Sequence, residues 1–283
     1  MHSDKYQFEG EGLFFKHERS VNIPCNAYAR HTHNMYELLY FINGDATQII
    51  EDRKHKLESG DLVLISPQKY HFVQIDSPSD YERYDILLDN RILNIESIAR
   101  FAEGMEVINL SSIPLARDIL QKTDYYFQNL EPYDFSRVMA HLLSELFYLI
   151  GLLPQSQKAE RFTATAPILS KALNYINDNI VTVSDVDEVA RECFVSKSYL
   201  FRLFKKELHQ TPKNYILEKR LLIAQSKILS GEKPTKVYTC CGFSDYTTFY
   251  RNYLDFFGYS PAETEENRGS ESGRQIFDEN KIF

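Results

Sequence analysis

Two stretches decide the fold: VARECFVSKSYLFRLFKKELHQTP at residues 189–212 and VYTCCGFSDYTTFYRNYLDFFGYSP at residues 237–261. Set side by side, they repeat. Val189 matches Val237, Cys193 matches Cys241 and Ser196 matches Ser244, all at an offset of 48. After one inserted residue, Leu200 matches Phe249, Arg202 matches Arg251, Phe204 matches Tyr253 and Thr211-Pro212 matches Ser260-Pro261, all at 49. Self-similarity at a fixed period marks two copies of one supersecondary unit.

Each copy reads as a helix-turn-helix, the first over about 186–207 and the second over about 234–257. In the first, Ser184 and Asp187 read as a capping box, followed by Val186, Val189 and Ala190 on one apolar face. A tight connection, 192–195, leads to Ser196, a good N-cap for the second helix. That helix turns Leu200, Leu203 and Phe204 inward. Lys197, Ser198, Phe201, Arg202, Lys205 and Lys206 are left for its outer side. Thr211-Pro212 then caps and starts a longer helix, with proline at the tolerated first position. In the second copy Gly242 supplies the turn, Ser244 the cap and Phe249 and Tyr253 the core. Tyr246, Thr247, Tyr250 and Arg251 face outward. A helix of this kind fits the major groove, where arginine pairs with guanine and an apolar group packs on a thymine methyl. Lysines and helix N-termini hold phosphates. A lone pair of helices would be as consistent with a packing motif; two copies sharing one outward pattern point to DNA.

The charge distribution agrees. The chain of 283 residues carries a formal net charge of −8, yet residues 167–262 hold 13 Lys and Arg against 10 Asp and Glu. The final stretch 263–283 holds 3 against 6 and reads as an acidic tail from 266. The 43% hydrophobic and 25% charged fractions are those of a globular protein. No stretch is long and apolar enough to span a bilayer, and residues 1–5 carry no signal-peptide pattern, so a cytoplasmic protein is expected. The four cysteines (Cys25, Cys193, Cys240 and Cys241) have neither zinc-ligand nor disulfide-framework spacing.

Upstream, residues 1–92 read as short strands. Those at 37–42, 46–51 and 61–66 are separated by turn signals at Asn43-Gly44-Asp45 and Glu58-Ser59-Gly60. Residues 93–153 turn helical, with apolar three- and four-residue spacing at 95–102, 113–127 and 135–153. The last of these carries so much apolar surface that it needs cover, either from the strands or from a second copy of the chain. Residues 154–166 are small and polar and read as a linker to an all-α domain over 167–265.

A second constellation lies in the strand region: His31, His33, Glu37 and, after Pro67, His71. Residues two apart on a strand share a face, so His31 and His33 point the same way. Three readings stand: an effector pocket, a divalent-metal set, or buried histidines paired with Glu37 for structure alone.

Both halves resemble known families. Residues 167–262 resemble the DNA-binding domain of AraC/XylS regulators, through Ser196-Lys197-Ser198-Tyr199-Leu200, Arg202-Leu203-Phe204-Lys205-Lys206, Arg220-Leu221 with Ala224, and Gly242-Phe243-Ser244-Asp245-Tyr246 on to Gly258-Tyr259-Ser260-Pro261. The His-x-His-x3-Glu-x6-Gly run from His31 to Gly44 resembles the first motif of the cupin barrel, and Gly60 through Pro67 to His71 is similar to the second. The fold class expected is α+β: a cupin-like antiparallel β-barrel with a helical dimerisation segment, then two helix-turn-helix units. The resemblance implies a non-enzymatic, homodimeric transcription regulator bound to promoter DNA, with RNA polymerase as a further partner and a small-molecule effector, such as a sugar, in the barrel. It places Ser198, Phe201 and Arg202, then Tyr246, Thr247 and Arg251, at base-contacting positions. Pro234 and Tyr238 depart from the family pattern, and a short or tilted first helix with a weaker phosphate grip is expected there. The rival reading is a cupin metalloenzyme with an accessory helical domain.

Overall fold

The computed structural model describes residues 3–10, 12–25, 27–28, 30–89, 107–153, 163–164 and 166–264. Contacts divide the chain into two units, one made of most of residues 1–162 and the other centred on Thr163–Phe283.

The first unit is a double-sheeted antiparallel barrel. Its strands are β1 (Ser3–Gly10), β2 (Leu13–Ser20), β3 (Tyr36–Asn43), β4 (Ala46–Ile50), β5 (Arg53–Lys56), β6 (Asp61–Ile65), β7 (His71–Ile75), β8 (Tyr81–Leu88) and β9 (Val107–Asn109). One sheet runs β1-β2-β8-β3-β6-β9, and β5-β4-β7 run side by side in the other. The three strands expected from the sequence are β3, β4 and β6. Gly44 turns β3 into β4 at φ +142, where a Cβ would lie 3.0 Å from the Tyr81 ring.

Alternation sorts the large sheet into two faces. Register pairs Phe15 and Leu38 with Ile86, Tyr40 with Tyr84, and Leu38 with Leu64, all on the outward face. On the inward face it pairs Lys16 and Leu39 with Asp85, and Glu18 and Phe41 with Arg83. Helices α1 (Pro114–Asn129) and α2 (Pro132–Gly151) cover the outward face. Phe135 of α2 meets the Phe8, Phe15 and Phe127 rings at centroid distances of 4.8, 5.5 and 5.7 Å. Phe135, Met139, Leu142, Leu143, Leu146, Phe147 and Ile150 are buried in this layer. The apolar stripe of α2 is therefore covered within the chain. The helix expected over 95–102 lies outside the described residues.

The second unit is helical: α3 (Pro167–Asp178), α4 (Val186–Glu192), α5 (Lys197–Leu208), α6 (Pro212–Leu229), α7 (Pro234–Cys240) and α8 (Tyr246–Phe257). Most of the expected linker is undescribed, and its Thr163–Ala164 form a two-residue strand, β10. α4–α5 and α7–α8 are the two helix-turn-helix units.

The caps correct two details of the sequence reading. The first N-cap is Asp185 rather than Ser184, and no reciprocal box forms: Asp185 accepts from the Glu188 amide, while the Glu188 carboxylate accepts from both the amide and the hydroxyl of Ser184. In the second unit Asp245, not Ser244, is the N-cap, accepting from the Thr248 amide. Ser196 caps α5 in the same way, so the structural offset between recognition helices is 49 throughout, and the inserted residue belongs to the turn. A carboxylate at a helix N-terminus gains from the macrodipole as well as from the hydrogen bond. Nor is α7 shortened by Pro234: both α4 and α7 span seven residues. Pro234 sits at the N-terminus of α7, where its missing N–H costs nothing. Tyr238 packs edge-on against Tyr246, ring centroids 5.6 Å apart.

Candidate DNA interface and barrel site

The recognition helices α5 and α8 owe their orientation to their buried residues. Leu200, Phe204 and Leu208 anchor α5, while Phe249, Tyr253 and Phe257 anchor α8. The opposite sides are left to solvent. On α5, Lys197, Ser198, Arg202, Lys205 and Lys206 are exposed and Phe201 is half-buried. Lys197 is held by Asp187 of α4 at 2.6 Å. On α8, Thr247, Tyr250 and Arg251 are exposed, but Tyr246 is half-buried in the ring cluster with Tyr238 and Phe249 rather than turned outward. Arg202 and Arg251 each stand six residues beyond their capping residue, Ser196 and Asp245. Both exposed arginines thus occupy the same place on equivalent helices.

Helix α6 ties the units together through Arg220. Its guanidinium donates to the carbonyls of Ile180 (2.8 Å), Val183 (2.7 Å) and Gly242 (2.9 Å). In the sequence Arg220 stands out only through the Arg220-Leu221 family match. Its role depends on three carbonyls 22 to 40 residues away, which no local pattern reveals.

In the barrel, His31, His33, Glu37 and His71 each offer a ligand atom, and all four atoms lie within 4.8 Å of one another. His33, Glu37 and His71 are buried. His71 lies 2.9 Å from a Glu37 carboxylate oxygen through Nε2 and 2.8 Å from the Lys69 carbonyl through Nδ1. Burial opposes the imidazolium, but the Glu37 charge and hydrogen bond, the Lys69 carbonyl and the Asp85 charge outweigh it, and its pKa is raised. Both ring nitrogens of His71 thus face an oxygen, the Glu37 carboxyl on one side and the Lys69 carbonyl on the other. Three imidazoles and a carboxylate suit a divalent transition metal. The Lys69 carbonyl would orient His71 as an outer partner.

Sequence reasoning missed the rest of this wall. Tyr81, Arg83 and Asp85 alternate inward along β8 and are buried. Arg83 Nε donates to Asp85 at 2.7 Å, and its Nη1 donates to the Tyr28 hydroxyl at 2.9 Å. The same guanidinium lies 4.7 and 5.0 Å from the Tyr28 and Tyr81 ring centroids. Asp85 Oδ1 and the Tyr81 hydroxyl are buried without a hydrogen-bond partner among the described residues. Burial, then the Glu37 charge, push the Asp85 carboxyl upward, against Arg83. The signal was the period-two run Tyr81-x-Arg83-x-Asp85, a strand pattern with charge on its inner face.

Two tandem helix-turn-helix units following a double-sheeted barrel define a DNA-binding regulator with a ligand-binding domain. Comparison gives the family. A model of a helix-turn-helix domain matches residues 189–267, and one of the AraC-like ligand-binding domain matches residues 20–121. The chain thus carries an AraC-family helix-turn-helix domain and an AraC-like ligand-binding domain, and the relatives it is similar to are AraC/XylS transcriptional regulators. It is similar to the transcriptional activator RhaS of Klebsiella pneumoniae, 23% identical over 260 residues that cover 87% of this chain and 90% of RhaS. It is also similar to the transcriptional regulator ArgR of Pseudomonas aeruginosa, 33% identical over 109 residues that cover 38% of this chain and 33% of ArgR. That match thus spans about a third of ArgR's length. Among solved structures, an AraC-type regulator from Chromobacterium violaceum shares 30% identity across 37% of this chain and 94% of its own, with a TM-score of 0.35. No helix among the described residues is long and apolar enough to cross a membrane.

Proposed function

We propose that the chain binds promoter DNA sequence-specifically through α5 and α8, and that a small-molecule effector in the barrel modulates this binding. The observation that carries the reading is the matched pair Arg202 and Arg251, both exposed six residues past the caps of equivalent helices. Ser198, Phe201 and Arg202, then Thr247, Tyr250 and Arg251, are the base-contacting candidates; Tyr246, half-buried, acts at most through its ring edge. Lys197, Lys205 and Lys206 serve phosphates.

For the effector, the Asp85 Oδ1 and Tyr81 hydroxyl, buried without a hydrogen-bond partner among the described residues, call for a ligand bearing hydroxyl groups. The inward wall sets Arg83 and Lys16 beside Asp85, Glu37 and Glu18, charges of both signs side by side, which favours an uncharged, polar ligand such as a sugar. The effector acts only by binding one arrangement of the protein better than another. A homodimer through the α1–α2 side fits the exposed Leu115, Tyr125, Tyr133 and Tyr148.

The convergence of His31, His33, Glu37 and His71 supports a second reading for that corner of the barrel, a bound divalent metal. Such an ion would supply a Lewis-acidic coordination point for an oxygen-bearing ligand.

Footprinting of the full chain on its own upstream DNA tests the regulator reading. The expected result is, for each bound chain, two protected major-groove segments about one helical turn, roughly 34 Å, apart. Uniform or absent protection overturns it.

A further inference from the structure

The two recognition helices are built alike and surfaced differently. Aligned on their caps, Ser196 and Asp245, the outer stripe of α5 reads Ser198, the half-buried Phe201, Arg202 and Lys205, and that of α8 reads Thr247, Tyr250, Arg251 and Leu254, all four exposed. Residues at these three- and four-residue spacings share one helix face. Beside the stripes, Lys197 and Lys206 of α5 correspond to Tyr246 and Asp255 of α8. All three lysines of the first helix are thus replaced by uncharged or acidic residues in the second. What α8 offers instead is a methyl group on Thr247, a Tyr250 ring 39% exposed and a Leu254 side chain 40% exposed, around a single arginine. The basic groups exposed elsewhere in that unit, Lys233 and Lys236, sit at and near the start of α7.

A leucine and a tyrosine ring left in water on one stripe have no hydrogen-bonding use for guanine or adenine edges beyond the tyrosine hydroxyl. The one base edge in the major groove that presents an apolar group is thymine, with its C5 methyl. We propose that α8 reads thymine methyl groups through Thr247, Tyr250 and Leu254, with Arg251 as its only ionic contact, while α5 supplies polar readout and phosphate anchoring. This inference rests on the DNA-binding reading above. It assigns the second unit a role in specificity rather than in salt-dependent affinity, because apolar contacts release no counterions.

The test begins with selection of binding sites from random duplex DNA by the full-length protein. Arg251→Ala then identifies the half-site read by α8, as the segment whose base preference it relaxes. Replacing thymine by deoxyuridine in that half-site removes the methyl and leaves the base pair intact. The expected loss is about threefold to fivefold per methyl, the worth of one buried methyl group. In Tyr250→Ala or Leu254→Ala, surface changes whose folding a thermal melt verifies, the loss falls below about twofold at the methyl each residue covers. Deoxyuridine in the other half-site is not coupled to either variant. A selected half-site without thymine, or a deoxyuridine effect equal in wild type and both variants, overturns the inference while leaving sequence-specific binding intact. Failure to enrich any sequence overturns the DNA-binding reading itself.

Discussion

The Arg220 guanidinium donates to the carbonyl oxygen of Gly242 over 2.9 Å, so the linking helix grips the turn of the second helix-turn-helix. The same side chain holds the Ile180 and Val183 carbonyls just before the first unit. One arginine thus fixes the approach to one recognition helix and the turn before the other, and their spacing on DNA depends on it. Gly242 permits this closeness: its φ is +79, and a Cβ there would lie 2.6 Å from the Val181 carbonyl oxygen and 2.8 Å from the Arg220 side chain.

Arg220→Met keeps the stem and removes the fork. It is expected to destabilise the helical unit by on the order of 2–3 kcal/mol, since charge-assisted hydrogen bonds to carbonyls are lost together. Gly242→Ala is expected to cost at least about 1–2 kcal/mol through the left-handed backbone alone. Urea melts followed by far-ultraviolet circular dichroism check both, and unchanged midpoints contradict the account.

Phe194 stands where Gly242 stands in the other copy. It holds φ +59 and is 87% exposed, touching Lys171, whose Nζ lies 4.3 Å from the ring centroid. A phenylalanine in this backbone region is strained without the reward of burial. Phe194→Gly is expected to stabilise the protein by about 0.5–1 kcal/mol, part of the relief being offset by glycine's greater freedom when unfolded. A lowered melting temperature would show that the ring contributes more than its exposure implies.

His17 bridges sheet and helix. Its Nδ1 lies 2.8 Å from Asp124 of α1 and its Nε2 3.1 Å from Glu82, with Tyr84 stacked on the ring at 4.0 Å. Burial opposes its charged form, but the hydrogen bonds and charges of Asp124 and Glu82 prevail, and its pKa is raised. A raised folded pKa means the pairing stabilises fully below the unfolded value of about 6.5 and is lost as pH rises through the folded value. The stability difference between wild type and His17→Gln is therefore expected to shrink on going from pH 6 to pH 8.5. A difference that grows over this range contradicts the assignment.

For the barrel cluster, Zn²⁺ added to the full chain is expected to raise the melting temperature by mass action on the folded state. His33→Ala, which leaves the Glu37–His71 pair in place, is expected to remove most of that shift. An equal shift in the variant would place the ion elsewhere, and no shift in wild type contradicts the metal reading.

Much of the fold was legible because its signals are local. The repeat of Val189 to Pro212 in Val237 to Pro261 needs only sequence, and proline at helix starts and period-two strands do too. The corrections came where two caps compete: Ser184 against Asp185, and Ser244 against Asp245. Each neighbour is a good capping residue, and only backbone geometry decides. The stripe of α2 posed another ambiguity, since apolar spacing says that a face is covered without saying by what. The barrel wall was half legible. His31, His33 and Glu37 share a short motif and His71 follows a turn, whereas Tyr28 reaches the Arg83–Asp85 pair of β8 from a loop 55 residues before Arg83. The role of Arg220 was not legible either, since the carbonyls it grips lie 22 to 40 residues away in the chain.

Sequence-specific binding by this chain turns on base reading by Arg202 and Arg251. The most direct measurement is competition binding of wild type, Arg202→Ala and Arg251→Ala to the chain's own upstream DNA and to random DNA, at two salt concentrations. Wild-type complexes are expected to survive excess random competitor, and each variant to lose about 1–3 kcal/mol on the specific site. Binding to random DNA stays nearly unchanged. Equal losses on both DNAs would reduce the arginines to phosphate contacts, and wild-type binding indifferent to sequence would contradict the claim outright.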